Sequence, residues 1–122
     1  MAKLEKCQLI LPDDVVVTNN INDISKIENV KIDNIKEDYS IFDLGENTIE
    51  KISNEMVTCK TVFWNGPLGF YEQEPFDNST NVIGRTVAIL TKGNLITSVV
   101  GGGDTVAALN KEDLTGAFSF VS

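Results

Sequence analysis

The chain has 122 residues, 42% of them hydrophobic, which suits one small globular domain with a modest core. Its formal net charge of −8 disfavours nucleic acid and anionic membranes as partners, and no apolar run approaches the ~20 residues of a membrane span. The absence of histidine excludes a catalytic triad or a metal site built on imidazole. With no export signal apparent, Cys7 and Cys59 are expected to be reduced core residues in a cytoplasmic protein.

The first third of the chain is predicted to form short strands with polar connections. Residues 19–39 are rich in Asn, Asp and Lys and are expected to be mostly loop, and Gly45 ends the last strand of this part. The candidate strands are the segments in which apolar and β-branched residues recur, namely 7–11, 15–18, 30–32 and 41–44.

Two helical patterns are visible in the middle of the chain. Asn47 and Glu50 are spaced as a capping pair at the start of the first helix. The second helix is predicted to begin at Ser79 or Thr80 and to end at Gly93. Apolar residues recur at helical spacing in both and predict a buried stripe on each: Ile49, Ile52, Met56 and Cys59, then Val82, Ile83, Val87 and Leu90.

From residue 41 onward the chain alternates between strands and helices, beginning with the strand at 41–44 and the first helix above. This alternation predicts right-handed βαβ units and therefore an α/β fold, a parallel sheet with flanking helices. Because ligands bind beyond the carboxyl ends of such strands, Gly45 and the glycine-containing segments 65–67 and 101–103 are expected to converge at one edge of the sheet. Besides the second helix above, the predicted elements are strands at 61–64, 95–100 and 118–121, a long loop at 65–76 and a short helix at 104–111.

The run VVGGGDTVAA at 99–108 is the strongest local signal for chemistry. Gly101, Gly102 and Gly103 have no Cβ, so their N–H groups can approach a ligand closely just before a helix begins. A phosphate group suits such a site, and Asp104 is placed to hold the magnesium ion that accompanies it. Taken alone, the motif is equally compatible with a tight turn in which Asp104 caps the helix.

Four segments carry a resemblance to a known family: ILPDDVVVT at 10–18, FDLGENTIE at 42–50, TVFWNGPLGFYEQEPF at 61–76 and ITSVVGGGDTVAAL at 96–109. In combination and in this order they resemble phosphoglycerate kinase, specifically its C-terminal domain. The resemblance implies a partial Rossmann-like nucleotide-binding domain with three α/β/α layers. It also implies that residues 1–122 are a single domain, truncated at both ends relative to the domain of the family.

The resemblance further implies which residues contact the nucleotide. Phe42 matches an apolar position at the base pocket, Glu72 matches the acid that hydrogen-bonds the ribose hydroxyls, and Asp104 matches the magnesium ligand. Phe70 departs from the family, where a smaller aliphatic residue is usual, and no catalytic residue is expected in this chain. The complete set of expected nucleotide-binding residues is Phe42, Asn65, Pro67, Gly69, Phe70, Glu72, Gly101, Gly102, Gly103, Asp104 and Thr105.

The activity implied by the resemblance is phosphoryl transfer between 1,3-bisphosphoglycerate and ADP, giving 3-phosphoglycerate and ATP, with Mg²⁺ bound to the nucleotide. No Lys or Arg lies in the glycine-bearing loops, so backbone amides and the metal must bind the phosphates, or the cations belong to another part of the protein. An intact family member is expected to be a monomer that binds phosphoglycerate through an N-terminal domain. The isolated chain is expected to be inactive, and the alternatives are a non-catalytic nucleotide-binding module or a structural piece that needs its parent chain.

Several of these residues also have a purely structural interpretation. Burial in the core is the ordinary outcome for a strand residue such as Phe42, and Glu72 can be a solvated loop carboxylate. Trp64 and Phe63 are predicted to pack in the core rather than to contact a ligand. Asp43 is assigned to capping or another structural role and is left outside the site.

Overall fold

The structure is a computed structural model that describes residues 8–122. Within this range the strands are β1 (Asp14–Thr18), β2 (Glu28–Lys31), β3 (Ser40–Leu44), β4 (Thr61–Asn65), β5 (Thr97–Gly101) and β6 (Phe120–Val121). The α-helices are α1 (Glu46–Met56), α2 (Asn78–Lys92) and α3 (Gly103–Asn110). Single turns of 3₁₀ helix lie at Ile24–Lys26, Ile32–Asn34 and Thr115–Ala117.

The strands form two sheets with different topologies. The second half of the chain folds as β4–α2–β5–α3–β6, and its three strands are parallel in the order β4-β5-β6. The α/β class is therefore confirmed, with a parallel sheet and flanking helices. The first half instead forms an antiparallel sheet in the order β2-β1-β3, so the expectation that the strand at 41–44 joins the parallel sheet and that Gly45 lies at its ligand-binding edge is wrong. Its connections contain no α-helix, and parallel pairing requires a long crossover that these connections do not provide.

Two expectations for the beginning of the chain and for the cysteines need correction. The strand expected at 7–11 is absent from 8–11, whereas Cys7 lies outside the described residues. Cys59 was expected in the core, but it is exposed and has a free thiol. It lies beyond Val57, the C-cap of α1, so it no longer follows the buried stripe of that helix.

Helix α1 is capped by a buried carboxylate from β1 and not by the Asn47–Glu50 pair. The N-cap residue is Gly45, which has no side chain to offer. Asp14 replaces it: its carboxylate accepts hydrogen bonds from the N–H groups of Asn47 at 3.1 Å and Thr48 at 2.9 Å. A Cβ at Gly45 would collide with this carboxylate, so glycine is required where β3 meets the helix.

Helix α2 is capped in the same way from β3. The buried carboxylate of Asp43 accepts hydrogen bonds from both the N–H and the hydroxyl of Ser79, which confirms the capping role expected for it. At the other end, the helix stops at Lys92, close to the predicted position. The left-handed conformation beyond this end belongs to Asn94, with φ of 61°, and not to Gly93.

The main core lies between the helices and one face of the parallel sheet. Both crossovers run in the same direction across the sheet, and right-handed connections then place α2 and α3 on the same face. Trp64 and Val100 are buried on this face, together with Val87 of α2 and Leu109 of α3. Among residues 8–122, no helix is long and apolar enough to cross a membrane.

On the opposite face of the parallel sheet, the expectation that Phe63 of β4 packs in the core is wrong. Trp64 is buried as predicted, but Phe63 points the other way and is 70% exposed. Phe63 pairs in register with Val99, and Val99 pairs with Phe120, which is 63% exposed. A row of apolar side chains therefore crosses a sheet face that the described part of the chain leaves uncovered.

The cap on α1 predicts a specific dependence of stability on pH. Although burial opposes the effect, hydrogen bonds from Asn29, Thr48 and Asn47 hold the pKa of Asp14 below its ordinary value. A carboxylate with a lowered pKa in the folded state stabilises the protein above its unfolded pKa, and this stabilisation is lost as the pH falls through the folded pKa. Asp14→Asn is expected to lower the free energy of unfolding at pH 7 by about 1–3 kcal/mol.

Urea unfolding of both proteins between pH 2.5 and 7 measures this effect. The gap between the original chain and Asp14→Asn should widen as the pH rises from 2.5 towards 5. A gap that is independent of pH would show that the charge of Asp14 does not stabilise the helix.

Candidate functional site

The two glycine-containing loops leave the parallel sheet side by side. The loop 65–76 follows β4, and the turn that opens α3 follows β5. Asn65 at the end of β4 pairs in register with Gly101 at the end of β5. Two of the segments predicted to converge therefore start at the same level of the sheet, at its carboxyl edge, where ligands bind in parallel α/β folds.

The N-terminus of α3 differs from those of α1 and α2 because none of the side chains that the structure describes caps it. Its N-cap is Gly102, which has a φ of 93°, a conformation that side-chain-bearing residues rarely adopt. Gly102, Gly103 and Asp104 are all exposed, and the position of a Cβ on Gly103 would be surrounded by open space. The first-turn N–H groups and the positive end of the helix dipole therefore face an open region that suits an anion.

Thr105 joins the α3 turn to the loop that follows β4. Its side chain is fully buried, and its hydroxyl accepts a hydrogen bond of 2.7 Å from the N–H of Gly66. The indole of Trp64 donates a hydrogen bond of 2.6 Å to the carbonyl of Gly66, so this residue is held from both sides. Asn65 also lies against the turn, because a Cβ on Gly102 would lie 3.1 Å from its side-chain oxygen. The hydroxyl of Thr105 thus braces the loop, and its contact with a phosphate stays a prediction.

The loop is held further along by α2 and β3. The hydroxyl of Thr80 accepts a hydrogen bond from the N–H of Leu68 at 2.9 Å and donates one to its carbonyl at 2.6 Å. The N–H of Phe70 donates a hydrogen bond of 2.7 Å to the carbonyl of Phe42. Gly69, with φ of 67°, packs so closely against Asp43 that no Cβ would fit. These contacts fix the loop as a rigid segment between β3 and the helices.

The rings of Phe42 and Phe70 and part of the loop line an apolar cleft on the side of the antiparallel sheet. The ring centroids of Phe42 and Phe70 are 6.1 Å apart, and each also contacts the buried ring of Phe76. The cleft has a volume of about 580 Å³, and its lining includes Phe42, Phe70, Pro67 and Gly69. The structure therefore brings together four of the residues expected around the base, in surroundings that suit a flat apolar ring.

Two carboxylates lie near the mouth of the site. Glu72 and Asp104 are both exposed, and neither has a hydrogen bond or ion pair among the contacts of the described chain. Partial burial and then the charges of Asp104 and Glu72 raise the pKa of Tyr71. Both carboxylates therefore act on the same phenol.

The donor set fits a magnesium ion that is carried by a nucleotide better than a metal held by the protein alone. Residues 8–122 contain no group of three or more Cys, Asp or Glu side chains arranged to bind a metal. Asp104 offers one exposed carboxylate, and Mg²⁺ commonly takes one or two protein carboxylates, with phosphate oxygens and water completing its coordination. The ion expected from the sequence is thus compatible with this site as part of Mg–ADP or Mg–ATP.

Sequence reasoning missed two residues that organise the site. Thr80 was predicted only as a possible start of α2, although its hydroxyl binds both backbone groups of Leu68. Lys111, at the C-cap of α3, donates a hydrogen bond of 3.0 Å to the carbonyl of Tyr71. No local sequence signal could have found either contact, because each joins segments that are distant along the chain.

The fold and this edge define an α/β protein with an uncapped helix N-terminus, a glycine turn and an aromatic cleft lined by the neighbouring loop. The family model described as phosphoglycerate kinase matches residues 1–122, and the chain belongs to this family. The phosphoglycerate kinase of Rhizorhabdus wittichii is 45% identical over 116 residues, which are 95% of this chain and 29% of that protein. That of Cereibacter sphaeroides is 44% identical over 121 residues, or 99% of this chain and 30% of the relative.

A solved structure supports the same relationship. The structure of phosphoglycerate kinase from Coxiella burnetii matches with a TM-score of 0.88 and 39% sequence identity, covering 97% of this chain and 29% of that one. The chain therefore spans slightly less than a third of the length of the relatives that it matches.

The buried carboxylate beneath Gly69 predicts a pH dependence opposite to that of Asp14. Burial raises the pKa of Asp43, and the hydrogen bonds from Ser79 only partly offset this effect. A carboxyl group with a raised folded pKa stabilises the protein fully below its unfolded pKa, and the stabilisation is lost as the pH rises through the folded pKa. Asp43→Asn, which stays neutral, should therefore gain stability relative to the original chain as the pH rises from 3 to 7.

Chemical unfolding of the two proteins at several pH values tests this expectation. The prediction is wrong if the relative stability of Asp43→Asn is constant or declines over this range. Ser79→Ala is a useful companion because it removes one of the hydrogen bonds to Asp43 and leaves the carboxyl group in place.

Proposed function

We propose that this chain provides the Mg–ADP and Mg–ATP binding part of the phosphoglycerate kinase reaction. In that reaction a phosphoryl group passes between 1,3-bisphosphoglycerate and ADP, and the products are 3-phosphoglycerate and ATP. The observation that carries the proposal is the uncapped N-terminus of α3, which opens beside the start of the loop whose residues 67–70 line the aromatic cleft. Family membership gives the reaction, and this geometry favours a nucleotide at this position.

Each part of the nucleotide has a matching part of the site. The base occupies the apolar cleft between Phe42 and Phe70, and the carboxylate of Glu72 accepts hydrogen bonds from the ribose hydroxyls. The phosphates approach the first turn of α3, where Gly102 and Gly103 leave the backbone N–H groups unshielded. Asp104 provides a carboxylate for the magnesium ion, which neutralises charge on the phosphates when it is bound.

Phosphoryl transfer depends mainly on positioning and on stabilising the charge of the transferring group. This chain has a net charge of −8 and no Lys or Arg within the loop 65–76 or the 101–105 turn. We therefore assign to this chain the holding of the nucleotide and its metal. The cations and the phosphoglycerate site are assigned to other parts of a longer protein. The relatives are proteins of this kind, since the chain matches only about 30% of their length.

A second candidate is a structural piece that folds fully only with more of a phosphoglycerate kinase chain. The exposed apolar row of Phe63, Val99 and Phe120 favours it, because sheet faces of this kind are normally covered. Size-exclusion chromatography combined with an amide ¹H–¹⁵N spectrum separates the two candidates. A monomer with dispersed peaks supports the binding module, whereas broad, collapsed peaks or self-association support the structural piece.

Mg–ADP titration of the ¹⁵N-labelled chain tests the proposed site. Peaks of Phe42, residues 65–72 and residues 101–105 are expected to move. Asp104→Ala should make ADP affinity independent of magnesium, because it removes the one carboxylate assigned to the ion. Equal affinity of the original chain with and without magnesium would contradict the role of Asp104.

The assignment of Glu72 makes a separate prediction. Glu72→Gln should weaken ADP binding by about 1–2 kcal/mol, the size expected for losing a hydrogen bond to a charged acceptor. Glu37→Gln is the matched control, since it changes an exposed glutamate in the connection between β2 and β3 by the same one charge. Isothermal titration calorimetry of all three proteins measures the difference. Equal affinities for Glu72→Gln and Glu37→Gln would leave Glu72 as a solvated loop residue.

The distribution of charge also predicts that the isolated chain does not catalyse phosphoryl transfer. A coupled assay that follows ATP formation from 1,3-bisphosphoglycerate and ADP should give no rate above background. Turnover that copurifies with the chain and is lost in Asp104→Ala would contradict this prediction and exclude a contaminating host enzyme.

A further inference from the structure

Lys111 makes a long-range contact with the loop that the proposed function does not use. Its ammonium donates a hydrogen bond of 3.0 Å to the backbone carbonyl of Tyr71. The same ammonium lies 5.8 Å from the centre of the Tyr71 ring, within the range of a cation–π interaction. Lys111 is the C-cap of α3, the helix whose first turn contains Asp104. Helix α3 thus has the phosphate-facing turn at its N-terminus, and the residue at its C-terminal end contacts the loop at Tyr71.

Tyr71 is the residue through which this contact can act on a ligand, because it lies between Phe70 and Glu72. The preceding residue is fixed from β3, where the carbonyl of Phe42 accepts the Phe70 N–H. The following turn is fixed by Gln73, whose side-chain amide donates a hydrogen bond of 2.8 Å to the carbonyl of Ile21. Both of these hydrogen bonds join the loop to the half of the molecule that contains the antiparallel sheet. Lys111 provides the hydrogen bond from α3.

The contact is also distinctive in its charge. Among the hydrogen bonds, ion pairs and cation–π contacts of residues 8–122, Lys111 is the one cation that reaches the loop 65–76. It contacts Tyr71, and the next residue along the chain is the acidic Glu72. A cation that binds the backbone there orders the turn and attracts the neighbouring carboxylate.

We propose that Lys111 is a positioning residue for the nucleotide: by binding the carbonyl of Tyr71, it holds Glu72 in place relative to Asp104. The ribose-binding turn is thereby coupled to the helix whose first turn faces the phosphates. This inference rests on the proposed function, since it names a residue that organises the same site. Lys111 itself contacts neither the base nor the phosphates in this arrangement.

Lys111→Met tests the proposal, because methionine keeps much of the aliphatic stem and removes the ammonium. Lys111→Arg retains a cation that can donate to the carbonyl. Lys92→Met is the matched control: it removes an exposed lysine from the last turn of α2 and changes the net charge equally. The binding of Mg–ADP and of adenosine to the full 122-residue chain is measured by NMR titration for each protein. Adenosine has the base and ribose but no phosphate, so it separates positioning of the turn from attraction of phosphate.

The expected result is about fivefold weaker binding of both Mg–ADP and adenosine to Lys111→Met, the size of losing one hydrogen bond. Lys111→Arg should restore both affinities to within about twofold, and Lys92→Met should leave adenosine binding unchanged. The amide peaks of Tyr71 and Glu72 should also shift in Lys111→Met without ligand. Thermal unfolding of each variant checks that the fold persists.

Two outcomes overturn the positioning role while the proposed function stands. One is that Lys111→Met binds both ligands as the original chain does. The other is that it weakens Mg–ADP alone, to the same extent as Lys92→Met, which would reveal only a long-range effect of charge. If the original chain binds neither ligand, the proposed function itself fails, and the positioning role falls with it.

Discussion

The loop 65–76 is the constraint on which this structure depends, because it connects β4 to α2 and packs against β3 without regular secondary structure of its own. The backbone polar groups of such a segment need partners, and neighbouring elements supply them. Thr105 of α3, Thr80 of α2 and Phe42 of β3 each hydrogen-bond a different stretch of the loop. The shape of the loop, and with it the site, therefore exists only while these three elements keep their relative positions.

The parallel half of the fold could be predicted because its information is local. Buried strands alternate with amphipathic helices, and the handedness of the crossovers leaves few topologies to choose from. The antiparallel half was misjudged, since short strands with polar connections do not reveal their partners. The N-terminal cap of α1 was misassigned for a related reason: Asp14 lies far from α1 along the chain, so spacing favoured the nearby Asn47. A carboxylate on one strand that caps a distant helix has no signature in local sequence.

The site shows the same division between local and tertiary information. Its backbone-determined parts could be predicted, because the glycine turn and the loop lie at carboxyl ends of adjacent parallel strands. The direction of individual side chains could not: the hydroxyl of Thr105 faces Gly66 inside the protein, and Phe63 faces outward. Alternation along β4 left two possible directions for Phe63, and the turn before α3 left the direction of Thr105 open. The arrangement of the neighbouring elements selected between them.

The wide separation of the loop's anchor points along the chain also determines when it can become ordered during folding. Its hydrogen-bond partners range from Ile21 to Lys111, so local interactions alone cannot hold it. Forming such distant contacts carries a loop-closure entropy that is compensated only after both sheets and the helices between them have docked. The surface assigned to the nucleotide is consequently among the last parts of the molecule to form and among the first to open when the packing between the elements loosens.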